Sequence, residues 1–179
     1  EMPIASAQVK SALLLTALTA KKNITIVEGK YTRDHTERMI NYFGGRVSSI
    51  NKESKNYISL SDKSMDKEHS NYIVAGDFSS SAFIIVAALI SNEADILIKN
   101  VGINETRSGL IDVLKEMNGD IQILNQRNQC NEEVADIRVK SSKLKGIGVP
   151  SSVIPNIIDE IPILCVAASC ADGKTSIKD

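Results

Sequence analysis

The sequence has no tryptophan, and aromatic residues make up only 4% of its 179 residues. Proteins that bind single-stranded nucleic acid by stacking bases on side chains need more. Neither sign of charge is in excess: 21 Lys and Arg stand against 22 Asp and Glu, for a net charge of -1. This balance excludes a global basic field for nucleic acid or an anionic membrane, so any anion site must be local. Cysteine is limited to Cys130, Cys165 and Cys170, an odd number without metal-ligand spacing. Cys165 and Cys170 lie in an Ala-rich apolar run and are expected to be buried thiols in a reducing, cytoplasmic compartment. No apolar stretch reaches the roughly 18 residues of a membrane span, and no signal core follows a basic N-terminus. Glu1 and Asp179 both lie against structured segments, so both ends are expected to be cut from something longer.

What is present is a hydrophobic fraction of 42%, enough for one or two small domains. The pattern repeats. An apolar helix over Ser6–Ala20 precedes a strand over Asn23–Glu28, a polar turn, and a helix carrying Met39, Ile40, Tyr42 and Phe43. Gly44–Gly45 ends that helix, and strands follow near Arg46–Ile50 and Asn56–Leu60. The order recurs as a helix over Ser79–Ile90, a strand over Asp95–Lys99, and a helix carrying Leu110 to Met117. Asn118–Gly119 ends this one, and strands near Asp120–Leu124 and Ala135–Lys140 follow. A third copy begins with a helix over Ile158–Ala171 and a strand over Lys174–Lys178. Gly45 and Gly119 stand 74 residues apart, a spacing that points to stacked supersecondary units.

The first helix of each unit is apolar on nearly every face, so these helices are expected to lie inside with the sheets wrapped around them. The fold class is α/β (α+β), with repeated βαβαββ units. Residues 61–70 read as a surface connection, with a domain crossing near 70–77. Gln126–Glu133 reads as a solvated loop, and Gly146–Asn156 as an irregular approach to the third helix.

Candidate chemistry gathers at helix starts, where first-turn N–H groups lack internal partners and the dipole favours anions. Ser6, Ala7 and Gln8 open the first helix with small or polar side chains. Ser6 suits an anion site and equally a plain N-cap. Lys10 reads as a solvated lysine. Asp34 and Glu37 have capping-box spacing. Arg33 opposes the dipole at a helix start and so points at an anion or a carboxylate. His35 reads as a helix-surface residue. Asp77 reads as an N-cap, because its carboxylate would repel an anion. Arg107 repeats the Thr-Arg pair of the first unit, which favours a structural role. Asp159 stands at the front of an apolar helix, where an acid is stabilised as the anion; Glu160 faces elsewhere and reads as solvated.

Five strings carry a resemblance when taken together: Pro3–Ala12, Thr32–Glu37, Gly76–Ser80, Asn100–Arg107 and Ile158–Pro162. In order, and over essentially the whole chain, the sequence resembles the EPSP synthase (3-phosphoshikimate 1-carboxyvinyltransferase) family, in particular its bacterial class relatively insensitive to glyphosate. The resemblance implies an inside-out α/β barrel of the enolpyruvyl transferase type, here incomplete. Residues 1–72 would be the last folding unit or units of the first domain, and 73–179 part of the second. It implies transfer of the enolpyruvyl group from phosphoenolpyruvate to the 5-hydroxyl of shikimate 3-phosphate, with release of phosphate. No metal or organic cofactor, nucleic acid or membrane partner is implied, and the parent would be a monomer.

The resemblance places Ser6, Ala7 and Gln8 in the shikimate-phosphate segment and Thr32 and Arg33 in a phosphate-facing loop. It makes Asp159 the proton acceptor. The family's Lys-Ser…Arg, Gly-rich and Lys-Glu-Thr-Asp-Arg segments are absent, so this segment alone is expected to be inactive. A relative of UDP-N-acetylglucosamine enolpyruvyl transferase and a non-catalytic repeat binding domain are the alternatives.

Overall fold

The computed structural model describes residues 1–62 and 71–178. These divide into two compact units, Glu1–Ile73 and Val74–Asp179. Most of the connection expected over 61–70 lies outside the described residues; Ser61 and Asp62 belong to a strand.

Unit 1 runs α1 (Ala7–Thr19), β1 (Ile24–Glu28), α2 (His35–Tyr42), β2 (Arg46–Lys52) and β3 (Lys55–Asp62). β3 is the central strand, antiparallel to both neighbours, in the order β1-β3-β2. Leu14 and Ala17 of α1 and Ile40 of α2 bury their side chains with Ile26, Ile58 and Leu60 of the sheet. α2 ends in a Schellman arrangement: Gly44 takes φ 97°, and the Gly45 N–H donates to the Ile40 carbonyl at 2.9 Å. The β2–β3 hairpin turns on Glu53 and Ser54, both left-handed at φ 53° and 60°. That is the handedness a two-residue hairpin needs.

Unit 2 repeats this plan. It runs α3 (Phe78–Ile90), β4 (Asp95–Gly102), α4 (Gly109–Glu116), β5 (Asp120–Gln129) and β6 (Glu132–Lys140). The sheet order is β4-β6-β5, again antiparallel throughout. α4 closes as α2 does, with Asn118 at φ 72° and Gly119 N–H donating to the Leu114 carbonyl at 2.8 Å. Asn100 and Asn125 are left-handed where β4 and β5 shift register against β6. Asp136 on β6 accepts from the Asn100 N–H and the Asn125 side-chain amide, both at 2.9 Å, and so staples the two irregularities to the central strand. The Asn125 amide, then the Asn100 N–H, hold its carboxyl below the usual carboxylate range.

The chain then forms β7 (Gly148–Val149), a 3-10 turn (Ser151–Val153), α5 (Ile154–Ile157), a second 3-10 turn (Ile158–Glu160), α6 (Ile161–Ser169) and β8 (Ser176–Ile177). β8 pairs parallel to β7, and α6 lies against α3.

Several expectations are corrected. Gln126–Glu133 is not a loop: β5 and β6 pair through it and turn on Cys130 and Asn131, at φ 54° and 65°. The ladder here is polar on both faces, so no apolar alternation marks it. Gly146–Asn156 holds a strand, a 3-10 turn and the start of α5. Cys165 and Cys170 are exposed, because α6 buries Ile163, Leu164 and Ala167 instead. Among the described residues the apolar helices keep an outer side open, as an incomplete barrel would: Leu15 on α1 is 50% exposed and Phe83 on α3 is 58% exposed. α1 packs on its sheet and α2, and α3 on its sheet and α6, which leaves an outer side of each helix uncovered.

Ser151–Ser169 forms a helical run of 19 residues with a mean hydropathy of 1.4, long and apolar enough by those measures to cross a membrane. This also departs from the sequence expectation. The run is broken between 3-10 and α segments, and Asp159 and Glu160 at its middle are paired with Arg107.

Candidate functional site

In unit 1 the site is built at the N-terminus of α1. The Ser6 side chain accepts from the Val9 N–H at 3.4 Å, so the capping reading holds. Ser6 and Ala7 are half-buried and Gln8 is exposed. The first turn of α1 carries no acidic residue. α3 differs: Asp77 caps it, accepting from the Ser80 N–H and hydroxyl at 2.7 Å each. The Ser80 hydroxyl is the main cause holding the Asp77 carboxyl below its usual range. A helix start capped by a neutral hydroxyl stays open to an anion; one capped by a carboxylate does not.

The loop before α2 is fastened from below. Thr32 donates twice to Glu28, through its hydroxyl at 2.7 Å and its N–H at 3.3 Å. Lys10 donates to the Thr32 carbonyl at 3.3 Å. The Thr32 hydroxyl proton is thus engaged by Glu28. Arg33 follows it, half-buried, and is one of two cations in this loop, the other being the exposed Lys30. His35 is exposed on α2. Ser11 and Thr36 join α1 to α2 through their hydroxyls at 2.7 Å.

Lys10 is not solvated. It is fully buried and pairs with Glu28 at 3.4 Å and Glu37 at 2.8 Å. Its charge is spent internally, and it acts on the loop as a clasp. Asp34 and Glu37 form no capping box. No side-chain cap bond forms at Asp34, whose carboxylate accepts from the Tyr31 hydroxyl at 2.9 Å and from Arg38 at 2.8 Å. Burial, then the bond to Asp34, pushes the Tyr31 hydroxyl upward.

Two buried carboxylates share one ammonium in this clasp, and Glu37 Oε2 has no hydrogen-bond partner. Burial pushes the Glu37 carboxyl above the usual glutamate range, against the opposing bond and charge of Lys10. The folded state therefore holds this proton more tightly than the unfolded state does. Its contribution is full below the ordinary glutamate pKa and is lost as pH rises through the raised value. Amide exchange at Ile58 in the centre of β3 should show unit 1 weakening over that window in the wild type. With Glu37→Gln this component should flatten; an unchanged slope would contradict the assignment.

In unit 2 Asp159 sits in the 3-10 turn before α6, its side chain 47% exposed. Arg107 Nη1 donates to Asp159 Oδ2 at 2.8 Å. The other nitrogen, Nη2, donates to Ser79 Oγ and lies 3.8 Å from Glu160 Oε1. Ser79 in turn donates to Glu160 Oε1 at 2.5 Å. Glu160 is therefore not solvated; its side chain is 3% exposed. Arg107 is held in place as the structural reading expects, and the partner it holds is the acid singled out for chemistry. Its loop is fastened as in unit 1: Thr106 donates its hydroxyl and its N–H to Asn104 Oδ1 at 2.7 and 3.0 Å.

A cavity of about 350 Å³ in unit 2 is lined by Glu105, Ser108, Asp112, Glu133 and Asn156, among others, and includes neither Arg107 nor Asp159. The chemistry argues for the residue cluster over the cavity, because the cavity gathers no fixed cation–carboxylate pair. Among the described residues no group of three His, Cys, Asp or Glu is placed to hold a metal.

Ser6, Ala7, Gln8, Thr32 and Arg33 all belong to unit 1, and Asp159 belongs to unit 2. Sequence reasoning misread Lys10 and Glu160 as solvated and passed over Glu28 and Ser79. For Glu28 a signal existed, since it shares the inward face of β1 with Ile24 and Ile26 at a period of two.

The sequence model of the family described as EPSP synthase (3-phosphoshikimate 1-carboxyvinyltransferase) matches residues 1–179. A 3-phosphoshikimate 1-carboxyvinyltransferase of Petrotoga mobilis is 50% identical over 177 residues, which are 99% of this chain and 40% of the relative. One from Pelobacter propionicus is 44% identical over 181 residues, covering 100% of this chain and 40% of that protein. The solved structure of EPSP synthase from Acinetobacter baumannii superposes with a TM-score of 0.86 at 44% identity, over 98% of this chain and 39% of that one. The chain thus spans about two fifths of the length of these relatives.

Proposed function

The chain belongs to the EPSP synthase family, and from that premise we propose that it supplies part of a site for enolpyruvyl transfer. The reaction moves the enolpyruvyl group of phosphoenolpyruvate onto the 5-hydroxyl of shikimate 3-phosphate and releases phosphate. Ser6, Ala7 and Gln8 hold the 3-phosphate at the start of α1, and Arg33 supplies positive charge from its loop. Thr32 shapes that loop through Glu28 and offers its hydroxyl oxygen to the site. Asp159 accepts the proton of the substrate hydroxyl as the new C–O bond forms. Residues 1–72 belong to the first domain of the transferase and 73–179 to the second. The intact enzyme is a cytoplasmic monomer, and this segment on its own is inactive.

The observation that carries this reading is the contrast between two helix starts. α1 is capped by neutral Ser6 with no acid in its first turn, whereas α3 is capped by Asp77. Of the two, only α1 suits a phosphate. Titration of the labelled chain with shikimate 3-phosphate tests it. The amide signals of Ser6, Ala7 and Gln8 should move in a saturable way, and those of Ser79 and Ser80 should stay still. Inorganic phosphate should compete weakly. Silence at Ser6–Gln8 up to millimolar ligand would refute the proposal and favour a repeat domain that only lends structure.

A further inference from the structure

We infer that Arg107 is the positioning residue of Asp159, an inference that rests on the reading of Asp159 as proton acceptor. Asp159 stands in a single 3-10 turn with its side chain half exposed. A carboxylate so placed samples several rotamers unless something outside its own turn holds it. Arg107 is that holder. Its own side chain is only 15% exposed, and its two terminal nitrogens reach different partners. One grips Asp159; the other is fixed through Ser79 to Glu160, a carboxylate buried beneath.

Glu160 explains why the guanidinium stays in place. A buried carboxylate that loses its cation is costly, so Arg107 cannot swing out to solvent without leaving Glu160 uncompensated. Arg107 is therefore a permanent cation beside Asp159. The planar fork matters as well: one guanidinium can meet a hydroxyl and a carboxylate in set directions, and a lysine ammonium cannot. Stability alone does not account for the outer contact, because an ion pair to a half-exposed carboxylate contributes little. Its effect is to set where the carboxylate points.

The test is a measurement on the 179-residue chain without any ligand. The three-bond couplings that report χ1 of Asp159 should be those of one fixed rotamer in the wild type. In Arg107→Gln they should collapse to averaged values, while the amide signals of the β4-β6-β5 sheet stay in place. Glu160→Gln should loosen Asp159 in the same direction and to a smaller extent. A fixed Asp159 in Arg107→Gln, or an averaged one in the wild type, overturns the inference. Should Arg107→Gln lose the fold of unit 2, Arg107→Lys decides. It keeps the charge without the fork, so averaging supports the positioning role and a fixed side chain refutes it. Because no substrate is present, this outcome is independent of the phosphate titration at Ser6–Gln8.

Discussion

Replacing Lys10 with alanine should weaken unit 1 by about 3–5 kcal/mol, the usual cost of breaking a buried ion pair by removing one partner. Lys10 is the cation of a buried cluster that also holds Glu28 and Glu37, and all three are nearly inaccessible to water. Without it two carboxylates lose their countercharge in the interior. Small domains are stable by only about 5–15 kcal/mol, so a loss of this size consumes a large part of the total. The measurement is amide exchange at Ile26 and Ile58, which lie in the sheet of unit 1. Their protection should fall about 10²- to 5 × 10³-fold, at 1.36 kcal/mol per decade, while the β4-β6-β5 sheet keeps its own. Combining Lys10→Met with Glu28→Gln and Glu37→Gln should recover much of the loss, since no charge is then left buried. Unchanged protection in the single variant would show that the cluster does not hold the unit together.

The second large effect concerns turnover. In an intact transferase that carries this segment, Asp159→Asn should lower kcat by about 10²- to 10⁴-fold, the range for removal of a general acid–base group. An amide matches the carboxylate in shape and can still accept the Arg107 hydrogen bond through its oxygen. It cannot take a proton at neutral pH. The KM for shikimate 3-phosphate should change far less than kcat, because the substitution leaves the proposed phosphate-holding residues Ser6, Ala7 and Gln8 untouched. Steady-state assay of phosphate release reads both numbers. A variant with near wild-type kcat would remove Asp159 from the chemistry.

Much of this architecture could be read from periodicity and end signals. α1, β1 and α2 fall where the apolar spacing and the Gly44–Gly45 stop place them, and the 74-residue spacing of Gly45 and Gly119 marks two helix ends of the same geometry. The two strands of the β5–β6 hairpin were legible but its far end was not, because its turn is Cys130–Asn131, not a glycine turn, and the adjoining strand ends are polar on both faces. Lys10 was misread for a general reason. A lone charge in an apolar helix looks like a solvent-facing residue until its partner is known, and its partners lie 18 and 27 positions further along the chain. The site divides the same way. Ser6 to Gln8 are local to a helix start and could be found from sequence. The pairing of Arg107 with Asp159 joins residues 52 positions apart and needs the fold to bring them together.

The two threonine clasps carry a consequence for how the arginines after them are placed. Thr32 and Thr106 close the same kind of loop, each just before an arginine and each ahead of a helix with the same glycine ending. Each clasp fixes the backbone one residue ahead of its arginine, so both guanidinium groups start from a set origin, and that of Arg107 reaches an acid of the chain itself.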